Sequence, residues 1–246
     1  MLPIRDANPS FIRPFITWAI LALCTYVFFA VQPHTEREAV VFLYQSALVP
    51  CEVTGLDPLS AAEIETGRCD SGEGNPVFPE KGVLLALVTS MFFHGGIAHL
   101  LGNLWVLWIF GNNVEEAFGH FGYLAFYLAT GLVASLAHVV LNPSSTVPVV
   151  GASGAIAGVM GAYLILFPGA RVVSIIPPLF FLPIAVPAFL FLGFWFLGQF
   201  ALAGAATNIA WEAHVGGFLA GMGAAVWGRR RLLQRVEASR HRAFRP

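Results

Sequence analysis

The sequence contains few charged residues. Only 11% of its 246 residues are Asp, Glu, Lys or Arg, whereas soluble domains carry roughly a quarter. With 57% hydrophobic residues and a mean hydropathy of +0.73, the chain is predicted to be an integral membrane protein. It also lacks a long polar block that would fold as a second domain. We therefore predict one membrane domain with short appendages.

Sequence patterns that mark several other function classes are missing as well. The sequence has no glycine-rich phosphate loop, no basic surface interleaved with aromatic residues and no metal-type cysteine spacing. We therefore expect no nucleic acid as partner, and no metal or other cofactor. An intramembrane zinc protease needs an HExxH pattern, and His94 and His99 are five residues apart without such a glutamate. An intramembrane aspartyl protease needs a pair of aspartates in its spans, and the predicted spans contain none.

Six apolar segments are candidates for crossing a bilayer, for which about 20 residues are needed. They lie near residues 15–32, 97–112, 121–141, 152–168, 187–207 and 210–228. The sequence thus predicts an all-α membrane protein with six transmembrane helices over residues 15–228. Residues 83–95, which end in a predicted break at the HGG triplet, are assigned to an interfacial part of the preceding loop. The proline-rich stretch 172–187 is assigned to a connector that lies at the membrane surface or dips into it.

The charges are segregated in a way that orients the bundle. The tail at 229–246 carries seven arginines and one glutamate, whereas the loop at 33–82 carries nine acids and three bases. Because Lys and Arg mark the cytoplasmic side, we expect the N-terminal segment 1–14 and the tail to be cytoplasmic, in a multi-pass protein of the cell (inner) membrane. The acidic loop then faces the oxidising side, where Cys51 and Cys69 either form a disulfide or remain free thiols.

Few polar side chains lie inside the predicted spans, and intramembrane polar groups are candidates for function. Ser153 opens the fourth span, His214 opens the sixth, and His99 and Asn103 lie in the second. At about 1.5 Å per residue, counted from the cytoplasmic charges, all of them lie in the outer half of a core about 30 Å thick. Ser153 and His214 each head a stripe of small residues, which suits close contact between the fourth and sixth helices.

These residue types suit acyl transfer. A serine hydroxyl becomes a nucleophile when an adjacent base takes its proton, and histidine is the usual base. His99, Asn103 and backbone N–H groups at the helix start would supply donors for the oxyanion. The acid nearest to His214 is Glu212, which a spacing of two residues places on roughly the opposite helix face. We therefore interpret the pair as a Ser–His dyad rather than a triad, and His138, near the end of the third span, is assigned no role.

Four motifs together resemble the rhomboid family of intramembrane serine proteases. GASG at 151–154 is similar to the family's GxSG nucleophile motif, AHVGGFLAG at 213–221 to AHxxGxxxG, and HLLGN at 99–103 to the HxxxN element of its oxyanion hole. GNNVEEAFG at 111–119 resembles the signature loop that follows the second helix. The resemblance covers about residues 83–228, and the motifs occur in the family's order.

The resemblance implies a six-helix rhomboid-type bundle in which Ser153 is the nucleophile and His214 the general base and acid. It places His99 and Asn103 in the oxyanion hole. It also implies cleavage of other membrane proteins within or near a transmembrane segment, with the lipid bilayer as a further partner. One departure is Ala157, because some relatives have an aromatic residue there that stacks on the histidine. Two alternatives stay open: a catalytically inactive rhomboid-like binder of membrane proteins, and a small transporter.

Overall fold

A computed structural model of the chain describes residues 1–69, 74–176, 180–202 and 209–244. The predicted fifth span, connector, external loop and tail each include residues outside these ranges. Its elements in chain order are β1 (Leu2–Asp6), α1 (Phe15–Tyr26), α2 (Glu36–Ser46), α3 (Pro50–Gly55), α4 (Ala61–Thr66), α5 (Val83–Thr89), α6 (Ile97–Phe118), α7 (His120–Leu141), α8 (Ser153–Leu166), β2 (Arg171–Ile176), β3 (Phe180–Pro187), α9 (Ala188–Leu202) and α10 (Trp211–Ala243). A π-helical turn, Val27–Val31, extends α1, and a 3-10 turn, Ser90–Phe92, follows α5.

Helices occupy the six apolar segments that the sequence singles out, as α1, α6, α7, α8, α9 and α10. Among the described residues, α7 is the one helix that is both long and apolar enough to cross a membrane by itself. The segments Val83–Phe92 and Ile97–Phe118 would together make a second crossing, broken by a bend of 76°. Shorter apolar helices are Phe15–Val31, Ser153–Leu166 and Ala188–Ala201. The helical bundle is therefore observed, whereas the count of six crossings stays a prediction.

Helix α8 lies at the centre of the bundle. Of its 14 residues, 11 are buried, and it packs against α6, α7 and α10. A Cβ atom at Gly217 of α10 would overlap the carbonyl oxygen of Gly154, and one at Gly161 would overlap the carbonyl oxygen of Phe218. The two helix backbones therefore touch, as small residues on facing helices permit.

The all-α prediction is wrong in one region. Part of the stretch 172–187, predicted as a connector, forms the antiparallel hairpin β2–β3, and β1 pairs with β2 to make a sheet in the order β1-β2-β3. Asp6 is paired with Val172, and Val173 with Ala185. The β-branched residues of β2 favour a strand. Its partner β1 comes from the start of the chain, so local sequence patterns give no sign of the pairing.

The N-terminal segment lies along α6. The indole N–H of Trp105 donates to the carbonyl oxygen of Pro3 at 2.7 Å. Farther along α6, Asn113 Nδ2 donates to Asp6 Oδ2 at 2.8 Å, and the hydroxyl of Tyr163 donates to the same oxygen at 2.8 Å. Burial raises the pKa of the Asp6 carboxyl to about 6, although the bond from Tyr163 opposes the shift. Side chains of α6 and α8 therefore hold β1 against the bundle.

The motif at 111–119, which resembles the family's signature loop, is helical over most of its length. It forms the last turns of α6, which ends at Phe118, and Gly119 follows with a positive φ of 73°. Glu115 is fully buried and accepts hydrogen bonds from the backbone N–H and the hydroxyl of Thr17, at 2.8 and 2.7 Å. His120 Nδ1 lies 2.6 Å from the other oxygen of this carboxylate. The motif thus joins α1 to the corner between α6 and α7.

Three short helices, α2, α3 and α4, form the loop between α1 and α5. A disulfide and a buried ion pair stabilise this loop. Cys51 and Cys69 form a disulfide, one of the two alternatives that the sequence leaves open. Closing a separation of 18 residues stabilises a fold by roughly 3 kcal/mol in the chain-entropy treatment. Lys81 Nζ lies 2.5 Å from Glu52 Oε2 in a buried ion pair. Burial raises the pKa of Glu52 and lowers that of Lys81, so both shifts oppose the charges of the pair.

Helix α10 continues through most of the arginine-rich tail. The sequence predicts a tail over 229–246, and the helix runs through it as far as Ala243. Leu232 is buried, and the guanidinium of Arg235 donates to the carbonyl oxygen of Phe118 at the end of α6. The first part of the tail is therefore packed on the bundle.

Candidate active site

Ser153 and His214 lie within hydrogen-bond distance of each other. Ser153 is the first residue of α8, His214 lies in the first turn of α10, and Ser153 Oγ is 2.8 Å from His214 Nε2. This distance suits a hydrogen bond from the hydroxyl to a ring nitrogen that accepts it. The glycine contact between α8 and α10 brings the two residues together although 61 positions separate them.

His99 lies beside the serine, near the start of α6. Its ring packs on Gly151, where a Cβ atom would be 2.8 Å from both Cε1 and Nε2 of the imidazole. Gly151 has φ 130°, a conformation that L side chains rarely adopt. The backbone N–H of Gly95 donates to His99 Nδ1 at 3.4 Å, so Nε2 carries the proton in the neutral ring. A donor N–H is thus placed next to Gly151, two residues before Ser153.

Asn103 lies one turn deeper on α6 and is 7% exposed. Its Nδ2 donates to the carbonyl oxygen of His99 at 3.0 Å. Because an amide nitrogen has two hydrogens, this bond leaves one N–H for another acceptor. The first N–H groups of α8 also lack partners within the helix. His99 and the first N–H groups of α8 therefore lie side by side, and Asn103 lies one helical turn farther along α6.

Two residues of α9 complete the surroundings of His214, and sequence reasoning missed both. Gln199 Oε1 is 2.7 Å from His214 Nδ1, and the ring centroid of Trp195 is 5.9 Å from that of the imidazole. Trp195 supplies the aromatic neighbour that Ala157 does not provide. The sequence held a signal, because Gln199 is the one amide in an otherwise apolar segment and lies four residues after Trp195, on the same helix face.

Glu212 is directed toward α7 rather than toward His214. Its carboxylate lies 3.2 Å from His138 Nδ1 and accepts a hydrogen bond of 3.2 Å from Asn142 Nδ2. His138, for which the sequence predicts no role, thus links α7 to α10. Within the described ranges no carboxylate hydrogen-bonds to His214.

The described part of the chain also contains no group of three or more His, Cys, Asp or Glu side chains that could hold a metal ion. The polar atoms assembled around Ser153 are a hydroxyl, imidazoles, amides and backbone N–H groups. This set can donate, accept and transfer protons.

Residues 81–231, more than half of the chain, match the Rhomboid domain family. The chain belongs to the rhomboid family. It is 37% identical over 139 residues to the rhomboid protease GluP of Bacillus subtilis (strain 168), covering 56% of this chain and 25% of that protein. Two relatives from Arabidopsis thaliana are the chloroplastic Rhomboid-like protein 11, 46% identical over 71 residues (29% and 25%), and the mitochondrial RHOMBOID-like protein 12, 33% identical over 169 residues (61% and 47%). The matches thus span from a quarter to about half of the length of these relatives.

Rhomboid family membership makes the chain a helical integral membrane protein. The family match begins two residues before α5 and ends within α10, so it includes His99, Ser153 and His214. It also includes Gln199 on α9. The strand β1, the helix α1 and most of the disulfide-linked loop precede the matched region.

Proposed function

We propose that the chain is an intramembrane serine endopeptidase that cleaves transmembrane segments of other membrane proteins. The observation that carries the proposal is the 2.8 Å contact between Ser153 Oγ and His214 Nε2 at one end of a helical bundle. The similarity to a rhomboid protease supports it further. The proposed site consists of Ser153 and His214 as the dyad, with His99 and Asn103 as oxyanion donors.

In the first half-reaction, Ser153 Oγ attacks the carbonyl carbon of the scissile peptide while its proton moves to His214 Nε2. The carbonyl oxygen becomes an oxyanion, which accepts hydrogen bonds from His99 Nε2–H, from Asn103 Nδ2–H and from backbone N–H groups at the start of α8. The imidazolium then gives its proton to the departing amine nitrogen. The C–N bond breaks, and the serine retains the acyl group as an ester.

In the second half-reaction, a water molecule gives a proton to His214 Nε2 as its oxygen attacks the ester carbon. The bond to Ser153 Oγ breaks, the proton returns to this oxygen, and a carboxylic acid product leaves. Water therefore has to reach the ends of α8 and α10 from the non-cytoplasmic side. We place its path among α6, α8, α9 and α10, and we place substrate entry near α9, where the substrate helix unwinds to expose its carbonyl groups.

The proposal includes a membrane topology. Residues 15–228 form six crossings of the cell membrane, the segment 1–14 and the tail are cytoplasmic, and the loop 33–82 with the interfacial residues 83–95 lies outside. Contacts at the two ends of α7 support this arrangement. The backbone N–H of Cys51 donates to Ser145, just beyond the end of α7, whereas Arg235 contacts Phe118, just before its start. The disulfide and Arg235 are thus at opposite ends of α7.

The experiment that tests the function is cleavage of a reporter transmembrane substrate by the purified protein in proteoliposomes. We expect the wild type to cleave it, and Ser153→Ala and His214→Ala each to lose about 10³-fold or more in kcat. Leu219→Ala, at a position of α10 that is 51% exposed, is the matched control and should cleave normally. Near-wild-type turnover by either site variant would contradict the dyad. Equal substrate binding without cleavage by wild type and Ser153→Ala would favour the inactive binder.

A further inference from the structure

The amide of Gln199 is held in one orientation beside His214. Gln199 is 6% exposed, its Oε1 lies 2.7 Å from His214 Nδ1, and its Nε2 donates to the carbonyl oxygen of Trp195 at 3.1 Å. Rotating the amide by 180° would bring its oxygen against that carbonyl oxygen, and both of them only accept. The orientation with Oε1 toward the imidazole is therefore the one that satisfies both contacts.

This orientation determines which ring nitrogen of His214 carries the proton. An amide oxygen only accepts, so Nδ1 must donate and therefore carries the hydrogen in the neutral ring. Nε2 then has a free lone pair, which is what accepting the proton of Ser153 requires. In the other tautomer Nε2 would carry the hydrogen and would be unable to act as the base.

We propose that Gln199 is the positioning residue that fixes the tautomer and orientation of His214, in a Ser–His–Gln arrangement. The proposal rests on the proposed function and goes beyond the dyad, because it assigns a role to α9 that neither the motifs nor the comparisons give it. The carboxylate that could have had this role, Glu212, is bonded to His138 and Asn142 instead. A neutral amide also suits a site within a bilayer, since burying an unpaired carboxylate there is costly.

Trp195 supports this role for Gln199. Both residues lie on α9, and together they limit rotation of the His214 imidazole. The centroid of the Trp195 ring is 5.9 Å from that of the imidazole, and its carbonyl oxygen accepts the hydrogen bond from the Gln199 amide. The histidine is therefore held between Ser153 of α8 and Gln199 of α9. If α9 moved outward, it would remove the acceptor from Nδ1.

The test uses ¹⁵N-histidine-labelled full-length protein together with the reporter cleavage assay. In the wild type, the NMR signals of His214, assigned by their loss in His214→Ala, should show a protonated Nδ1 and an unprotonated Nε2. Gln199→Met keeps the side-chain length but removes the acceptor. It should give a mixture of both tautomers and lower kcat by about 10–10²-fold with KM unchanged. The same range is seen when the hydrogen-bond partner of a metal-bound histidine is removed, which likewise frees the tautomer and orientation of the ring. Gln199→Glu keeps an acceptor oxygen for Nδ1 and should keep the wild-type tautomer, but its kcat should lie between those of the wild type and Gln199→Met, because its second oxygen faces the carbonyl oxygen of Trp195.

Leu192→Ala is the matched control, because Leu192 is a fully buried residue of the same helix that makes no polar contact. It should lower thermal stability but leave the His214 tautomer unchanged. A wild-type tautomer and kcat in Gln199→Met would overturn the proposal, as would the same tautomer mixture in Leu192→Ala. Full activity of Ser153→Ala would instead reject the proposed function, while the NMR result on Gln199 would still stand by itself.

Discussion

At the residue scale, the proposed chemistry depends on how each polar side chain around Ser153 is partnered. His214 contacts Ser153 through one ring nitrogen and Gln199 through the other. His99 accepts from a backbone N–H at Nδ1 and so has a proton at Nε2. One histidine is thus arranged to accept a proton and the other to donate a hydrogen bond, which is the division of roles that acyl transfer requires.

The partners of Glu212 lead to a prediction at this scale. Its carboxylate contacts His138 and Asn142 but not His214. We therefore expect Glu212→Gln to keep kcat within a few-fold of wild type, because the variant keeps the side-chain length and an acceptor oxygen. Loss of the carboxylate from a catalytic triad lowers kcat by about 10⁴-fold. Steady-state cleavage by Glu212→Gln beside Gln199→Met measures this, and a loss of that size in Glu212→Gln would mean that Glu212 acts on His214.

The residues of the site differ in how far the sequence could predict them. The sequence indicates Ser153 and His214 because each is polar within an apolar helix, and because each heads a stripe of small residues that suits contact with the other helix. Gln199 met the first condition but not the second, since its contact depends on how α9 is rotated and tilted against α10. Periodicity indicates which residues share a face of one helix, but it does not indicate which neighbour that face contacts.

At the element scale, the contact between α8 and α10 is what sets the distance from Ser153 to His214. Added Cβ atoms at Gly217 or Gly161 would overlap backbone carbonyl oxygens of the opposite helix. A backbone carbonyl group cannot rotate away as a side chain can, so the two helices would have to separate. The glycines that make GASGAIAGVMGAY unusual as a helix are thus explained by this close approach.

We therefore predict that Gly217→Val and Gly161→Leu lose most activity although neither residue is part of the proposed site. A misplacement of about 1 Å in a reactive pair can cost about 10²-fold in rate. Leu219→Phe, on the exposed face of α10, adds bulk away from the contact and should remain active. Turnover and thermal stability are measured together for the three variants. Wild-type turnover in the two glycine variants would show that something other than this contact positions the dyad.

The sheet shows what the sequence could not reveal at this scale. The prolines of residues 172–187 indicate a connector, yet two of them, Pro183 and Pro187, lie in β3, an edge strand, where proline is tolerated. β2 lies in the middle of the sheet and contains no proline. Its other neighbour, β1, is held by hydrogen bonds to Trp105 and Asn113 of α6. Such contacts between distant parts of the chain leave no periodic pattern in the sequence.

At the scale of the whole molecule, the first and last segments of the chain both pack on the helical bundle. β1 lies along α6, and the arginine-rich end of α10 contacts the corner between α6 and α7 through Arg235. The sequence predicted two plain cytoplasmic appendages here, because their polarity differs from that of the spans. Polarity indicates the side of the membrane but not whether a segment is folded.

Asp6 makes the stability of the whole bundle depend on pH. Its pKa is raised from 3.8 to about 6 in the folded protein, so the folded state binds this proton more tightly than the unfolded state. Its contribution to the free energy of unfolding is therefore greatest below pH 3.8, falls as the pH rises toward 6, and is constant above that. Asp6→Asn should remove this fall. The unfolding free energies of the wild type and the variant are measured from pH 4 to 7.5, and the difference between them should shrink toward acid pH. A difference that stays constant over this range would contradict a raised pKa for Asp6.

The central claim is that His214 activates Ser153, and covalent labelling tests it most directly. Purified protein in lipid is treated with a fluorophosphonate probe, and the modified residue is located by peptide mass spectrometry. We predict an adduct on Ser153 in the wild type and in Leu219→Ala, and none in His214→Ala. Labelling of His214→Ala at the wild-type rate, or an adduct in the wild type on a residue other than Ser153, would contradict the account.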